Sequence, residues 1–460
     1  MDDVPQDYQS SQPVSGGHSE GAQRRRRRRR GGRGDERKDP PNLGLPEGAP
    51  PPAPEDWKPG ERRAESVRQK REGHGSRRDD RHRGDRERDR RSHEGGRRGH
   101  RDRAAEATKK IELPAPTKSR KAEDYLEELG GGLLRGVSRS FYLTIKMLPE
   151  SLRAPISLGY LLARTLDTIA DAAKAAPTDV RLDHLRAFAE AVKYGLDPEA
   201  MNALRREITS KLTPGEEKTL LEHAPRILAW LEAINIPDRW EIRRVIFRIA
   251  HGQALDLIRF GDGRERKALT KVEELDEYTY LVAGSVGEFW TRLCERHLDG
   301  KFATLPRSEM LRLGKRYGQG LQLINILRDL PEDLAAGRCY LPLDELTAAG
   351  LTPDDLTRAP AKARKLVEKW RRETIARLDD GWKYVRAIRE WKVRYACALP
   401  ILIGLDTLAL LAHESPLEAK GKLKIKRAAA AGTLLKARLG VISQAWLDSM
   451  YSRRRKRAGK

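Results

Sequence analysis

Asp329 and Asp333 stand four residues apart in Gln319–Pro342, where Leu321, Ile324, Leu327 and Leu330 recur at helical spacing. Gln322 and Asn325 fall on the same side as the two aspartates. Carboxylates one helical turn apart repel when both are ionised, so a chain that keeps them there calls for a cation. Mg²⁺ suits the task, because it is held by one or two carboxylates while it keeps waters and binds substrate phosphates. A second pair, Asp167 and Asp171, repeats the spacing about 160 residues earlier. Both pairs lie in otherwise apolar stretches, where unpaired carboxylates are costly, and each has an arginine nearby, Arg164 or Arg328. The fold is therefore constrained: two distant helices are expected to bring the pairs together across one cavity, with Mg²⁺ and a diphosphate between them.

From Glu123 onward the periodicity is helical almost throughout. Expected helices include roughly 151–172, 238–260, 271–297, 305–333, 392–412 and 425–451, with breaks at Pro149, Pro177, Pro198, Pro214, Pro237, Gly261–Gly263 and Gly337. No alternating strands stand out. The reading is an all-α domain over 121–450 with a central cavity, followed by a basic C-terminal tail over 451–460. Residues 1–120 carry a seven-arginine run, Arg24–Arg30, and a proline-rich stretch, and they nearly lack large apolar residues. Such a segment cannot bury enough surface to offset chain entropy and is expected to be a disordered basic tail.

Charge narrows the function classes. The chain has a net charge of +23; the first 120 residues hold 32 Lys and Arg against 22 Asp and Glu, so +10 belongs to the tail and +13 to the rest. Anionic small substrates, anionic lipid and nucleic acid all fit a basic protein. The arginine-rich tail lacks the interleaved aromatics of a base-stacking surface, which makes nucleic acid the least favoured of the three. Peripheral contact with an anionic membrane is expected through Lys420–Arg427 and Arg453–Lys460. Cys294, Cys339 and Cys397 are isolated, without a CxxC pair, which suits a reducing compartment. The N-terminus has no apolar signal segment. Ala396–Ala412 falls short of the ~20 residues needed to span a bilayer and reads as a buried helix. The expected location is cytoplasmic, with contact at the inner membrane surface.

Some local features admit a plain structural reading. Glu273, Glu274, Asp276 and Glu277 crowd an expected helix start, where acidic charge is favourable. Ala283, Gly284, Ser285 and Gly287 are small, so another helix or a ligand must come close there. Gly252 and Gln253 could play the same part, with Asp256 as a further polar group. Gly130–Gly132 reads as a hinge.

Four blocks, Val137–Phe141, Tyr160–Asp171, Tyr278–Gly287 and Gln322–Asp333, resemble the signature blocks of the squalene/phytoene synthase family in order and spacing. The likeness covers about 125–430. VSRSF and RTLDTIAD look more like squalene than phytoene synthases, and YTYLVAGSVGEFWTRLC and GRCYLP resemble the bacterial squalene synthase branch. The resemblance implies an isoprenoid synthase fold. It also implies Mg²⁺-dependent condensation of two farnesyl diphosphates, head to head, through presqualene diphosphate to squalene or a related C30 product, with NADPH for the reductive half. Asp167, Asp171, Asp329 and Asp333 become the metal ligands. Ser138, Arg139, Arg164, Gln322, Asn325 and Arg328 become diphosphate contacts. Leu281 stands where eukaryotic squalene synthases carry a tyrosine, and Tyr160 is the candidate to take over that phenol's role. A phytoene- or dehydrosqualene-type synthase without NADPH and a non-catalytic basic lipid- or nucleic-acid-binding scaffold are the alternatives.

Overall fold

The structure, a computed structural model, describes residues 121–459 except 139, 264, 420–422, 424, 426–431, 434–436 and 438–442. The tail expected over 1–120, Arg139 and most of the first C-terminal basic cluster lie outside the described residues. Those described belong to one compact unit. It is all-α apart from two strands, Lys267–Ala268 and Arg338–Cys339, which pair in parallel. Two-residue strands are too short to leave an alternating pattern in the sequence.

Three long helices frame the interior: Glu150–Ala170, Ile236–Phe260 and Arg307–Arg328. Their boundaries follow local chemistry. The Ile236–Phe260 helix starts at an Asn235 cap whose side chain accepts from the Asp238 N–H at 3.0 Å, with Pro237 in the first turn. It ends at Gly261, whose φ of 60° a residue with a Cβ adopts only with strain. The Glu150–Ala170 helix packs on Ile236–Phe260, and Arg307–Arg328 packs on Pro360–Ala387 and Ser285–His297.

Several expected elements are corrected. The 305–333 helix stops at Arg328 and restarts as a short helix at Leu330–Ala335, because Pro331 has no N–H to continue the ladder. The 271–297 helix contains a five-residue π turn, Tyr280–Gly284, between Val272–Thr279 and Ser285–His297. Gly130–Gly132 is likewise part of a π turn, Leu129–Leu133, rather than an open hinge. The small residues answer to helix packing: a Cβ on Gly287 would lie 1.9 Å from the Gly314 carbonyl oxygen, and one on Gly252 would lie 2.7 Å from a Val282 methyl. The acidic group at 273–277 opens a helix, as its charges favour.

The 392–412 helix runs longer, over Trp391–His413, and its 23 residues are enough in length and composition to cross a membrane. Its most apolar window is 67% buried inside the protein, against the Pro360–Ala387 and Gln444–Ala458 helices. The boundary drawn at 450 falls inside that last helix. Tyr451 stacks on Trp382 at 4.4 Å, Arg454 meets Asp406 at 3.0 Å and Arg455 meets Asp379 at 2.9 Å. Residues 451–458 therefore form a docked helical end, held by acidic partners that no local pattern reveals.

Candidate active site

One face of Glu150–Ala170 presents Ile156, Gly159, Ala163, Asp167 and Asp171 at three- and four-residue spacing to a cavity of about 560 Å³. The Ile236–Phe260 helix presents Val245, Ile249, Gln253 and Asp256 to the same space. Along both helices the lining passes from apolar to acidic toward the C-terminal end. The segment Tyr278–Trp290 runs the other way, from Tyr278 to Phe289 and Trp290. The cavity thus has one greasy end and one charged end.

All four aspartates line the charged end, with Gln322, Asn325, Arg164, Arg328 and Tyr160. Asp171 and Asp329 are the C-caps of 21- and 22-residue helices. The partial negative charge of those helix termini adds to the carboxylates, and a cation is favoured there on both counts. Burial pushes Asp167 up to about 6; Arg164 opposes the shift, Asp171 adds to it and a hydrogen bond from Gln253 at 2.7 Å opposes it again. Burial likewise pushes Asp333 up to about 6, against Arg338 and with the help of Asp256 and Asp329. Asp171 is raised by burial as well.

The arginines currently rest on these acids. Arg328 is bidentate on Asp329 at 2.9 and 2.5 Å, and Arg338 meets Asp333 at 3.0 Å and Asp256 at 3.8 Å. Arg164 bonds Glu217 at 2.9 Å and stands 3.8 Å from Asp167. Asn325 donates to Gln322 at 3.3 Å. The Tyr160 hydroxyl donates to the Val137 carbonyl at 3.2 Å, and its ring tilts against Phe141. Ser138 departs from expectation: its hydroxyl donates to Leu134 of its own helix at 2.5 Å, and it does not line the cavity. Leu281 is buried outside the lining.

The residues that sequence reasoning missed are Arg338, Tyr340 and the aromatic wall. Tyr340 donates to Asp256 at 2.6 Å and stacks on Tyr278 at 5.0 Å, which fixes the acid that Arg338 faces. Arg338 lies in the short parallel strand pair, inside the GRCYLP block whose likeness marks the family without giving either residue a role. Gln253 and Asp256 were visible only as polar residues near Gly252.

The donor set fits Mg²⁺: carboxylate and amide oxygens surround the charged end, and carboxylates whose charge is penalised by burial gain from a neighbouring cation. Among the described residues no three His, Cys, Asp or Glu side chains gather closely enough to hold an ion unaided. A phosphate-bearing substrate would have to complete the shell.

The family model for squalene/phytoene synthase matches residues 134–429. The chain belongs to the squalene/phytoene synthase family. Family members are prenyltransferase-type synthases. A squalene synthase from Botryococcus braunii is 28% identical over 303 residues, covering 64% of this chain and 60% of that protein. The squalene synthase of Saccharomyces cerevisiae is 28% identical over 311 residues, covering 66% of each. A bifunctional lycopene cyclase/phytoene synthase of Podospora anserina is 29% identical over 248 residues, covering 53% of this chain and 39% of its own. The chain thus spans less than two thirds of the length of these relatives. A ligand complex of TcSQS shares the fold, with a TM-score of 0.55 at 21% identity, over 74% of this chain and 99% of that one.

Proposed function

We propose that this protein condenses two farnesyl diphosphates head to head, through presqualene diphosphate, to squalene or a related C30 product. The observation that carries the reading is the polarity of the cavity: two aspartate pairs and three arginines at one end, aromatic and aliphatic side chains at the other. A prenyl diphosphate has the same two ends.

Ionisation breaks the bond from the allylic carbon to the diphosphate oxygen, and the electron pair leaves with the oxygen. Mg²⁺ at the aspartate pairs would offset the charge growing on the leaving group. Arg328 and Arg338, which rest on Asp329 and Asp333, would donate to phosphate oxygens once a cation neutralised those acids, and planar guanidinium geometry suits bidentate contact there. Gln322 and Asn325 orient the diphosphate from the same helix face. Phe141, Phe289 and Trp290 exclude water from the carbocation, and their ring faces attract positive charge. Tyr160 lines the same cavity at its charged end.

A squalene product also requires reduction by NADPH. Incubation with farnesyl or geranylgeranyl diphosphate, with and without NADPH, and product analysis by mass, tests the proposal. A C30 product from the C15 substrate is expected. Conversion of the C20 substrate alone would replace this reading with the phytoene-type one, which the likeness to the Podospora anserina protein favours.

The product is insoluble in water, and the proposal extends to a cytoplasmic protein resting on an anionic membrane. The Gln444–Ala458 helix exposes Trp446, Arg453 and Lys456, an aromatic and basic set suited to a lipid headgroup layer. Liposome flotation at low salt, lost at high salt, is the expected result; absence of binding at both would remove the membrane from the proposal.

A further inference from the structure

A second cavity, about 670 Å³, adjoins the charged end of the first and shares Asp171, Asp256, Leu257 and Arg338 with it. Its other walls come from the loop after Asp171, the start of the Thr178–Tyr194 helix and the turns at 260–263 and 335–336. Nothing in the condensation as described above uses this space.

Its cations are Lys174, Arg181 and Arg338. Lys174 is exposed and makes no hydrogen bond or ion pair with the described residues. Arg181 is only 5% exposed. It donates to the Ala170 carbonyl at 2.5 Å and to the Thr178 hydroxyl at 2.9 Å, stands 3.6 Å from Asp262, and keeps a buried Nε with no partner. The Nε of Arg338 is likewise buried and unpartnered. Each guanidinium faces a carboxylate, Asp262 for Arg181 and Asp333 for Arg338, and each keeps one buried N–H unsatisfied, which costs free energy.

The acids on the walls are already committed. Asp256 takes the Tyr340 hydroxyl and faces Arg338, and Asp262 takes the Thr178 hydroxyl and faces Arg181. Asp171 belongs to the pair that would face Mg²⁺, and a bound divalent ion would leave the walls net positive.

We propose that this second cavity is a diphosphate subsite outside the prenyl-binding cavity, with Lys174 and Arg181 as its own contacts and Arg338 as the group shared between the two. The inference rests on the condensation reading. Each ionisation there breaks a carbon–oxygen bond and sends the electron pair out on a diphosphate, which must clear the charged end before another substrate enters. An adjoining chamber whose walls a divalent ion at Asp171 would make net positive takes that anion without routing it through the apolar end. Free pyrophosphate and the diphosphate bridge of a nucleotide share the chemistry that Lys174 and Arg181 would recognise.

The test is calorimetric titration of the full chain with sodium pyrophosphate in Mg²⁺. Two classes of site are expected in the natural protein. Lys174→Glu should weaken one class at least tenfold and leave the other, and Lys174→Ala should weaken the same class less. Asp329→Ala should spare that class and lose the other. If NADPH displaces pyrophosphate from the Lys174-dependent class, the ligand is the nucleotide bridge; if it does not, the ligand is released pyrophosphate. A single class in the natural protein, or a Lys174→Glu titration that matches it, would overturn the proposal. No prenyl substrate is present, so the two readings fail separately. Two classes of site in a chain that turns over no prenyl diphosphate would sink the condensation and keep the subsite, and a single class in an active chain would do the reverse.

Discussion

At the scale of single residues, Asp167 and Asp333 hold their protons to about pH 6 in the metal-free protein because burial outweighs the arginines beside them. Mg²⁺ needs the ionised form, so its affinity should fall as pH drops through about 6. The concentration that half-activates turnover is expected to rise by about tenfold or more for each unit below that point; an unchanged value would show that these acids do not hold the metal. Stability carries the opposite sign. Both folded values lie above the unfolded 3.8, so the folded state binds more protons in between, and the ionised acids cost stability above pH 6. Asp333→Asn should therefore raise Tm of the metal-free protein at neutral pH and reduce the further rise that Mg²⁺ gives. A lower Tm without metal would mean that the 3.0 Å contact with Arg338 outweighs burial. Asp167→Ala and Asp329→Ala should each reduce turnover by about 10²–10³-fold, the scale at which a single group stabilising transition-state charge acts. Unaltered activity in both would favour the non-catalytic scaffold.

At the scale of elements, helix termini matter as much as side chains. The Glu150–Ala170 and Arg307–Arg328 helices both end at an aspartate, so each brings free carbonyls and a carboxylate to the same end of the cavity. An unbroken helix through 333 would have put Asp329 mid-ladder and removed that contribution. Pro331 and Asp329 together end it, and the Asp333 N–H still reaches the Asp329 carbonyl at 2.9 Å, which keeps the pair one turn apart. Ser285–His297 and Arg307–Arg328 approach backbone to backbone at Gly287 and Gly314. Gly287→Ala would drive a Cβ into the Gly314 carbonyl, and a loss of about 3 kcal/mol in urea unfolding is expected. A loss under about 0.5 kcal/mol would show that the helices can part without cost.

At the scale of the whole molecule, both ends of the main cavity are lined by residues between Phe141 and Tyr340. Removing residues 1–120 should leave turnover per enzyme unchanged within about twofold; a large loss would give the basic segment a part in the chemistry. The sequence by itself determined the helical class, because apolar residues at spacings of three and four leave little else to form. It also determined the two acid pairs and their four-residue spacing, since charge repulsion one turn apart is a local fact. Family-like blocks further pointed to a prenyl diphosphate. Tertiary structure alone decided that Arg338 and Tyr340 join the charged end, that Ser138 turns back on its own helix, and that the 451–458 stretch docks instead of trailing. Each of those depends on partners 48 or more residues away, on a two-residue ladder, or on where a helix stops, and none of these alters the local spacing of apolar and polar residues from which a sequence is read.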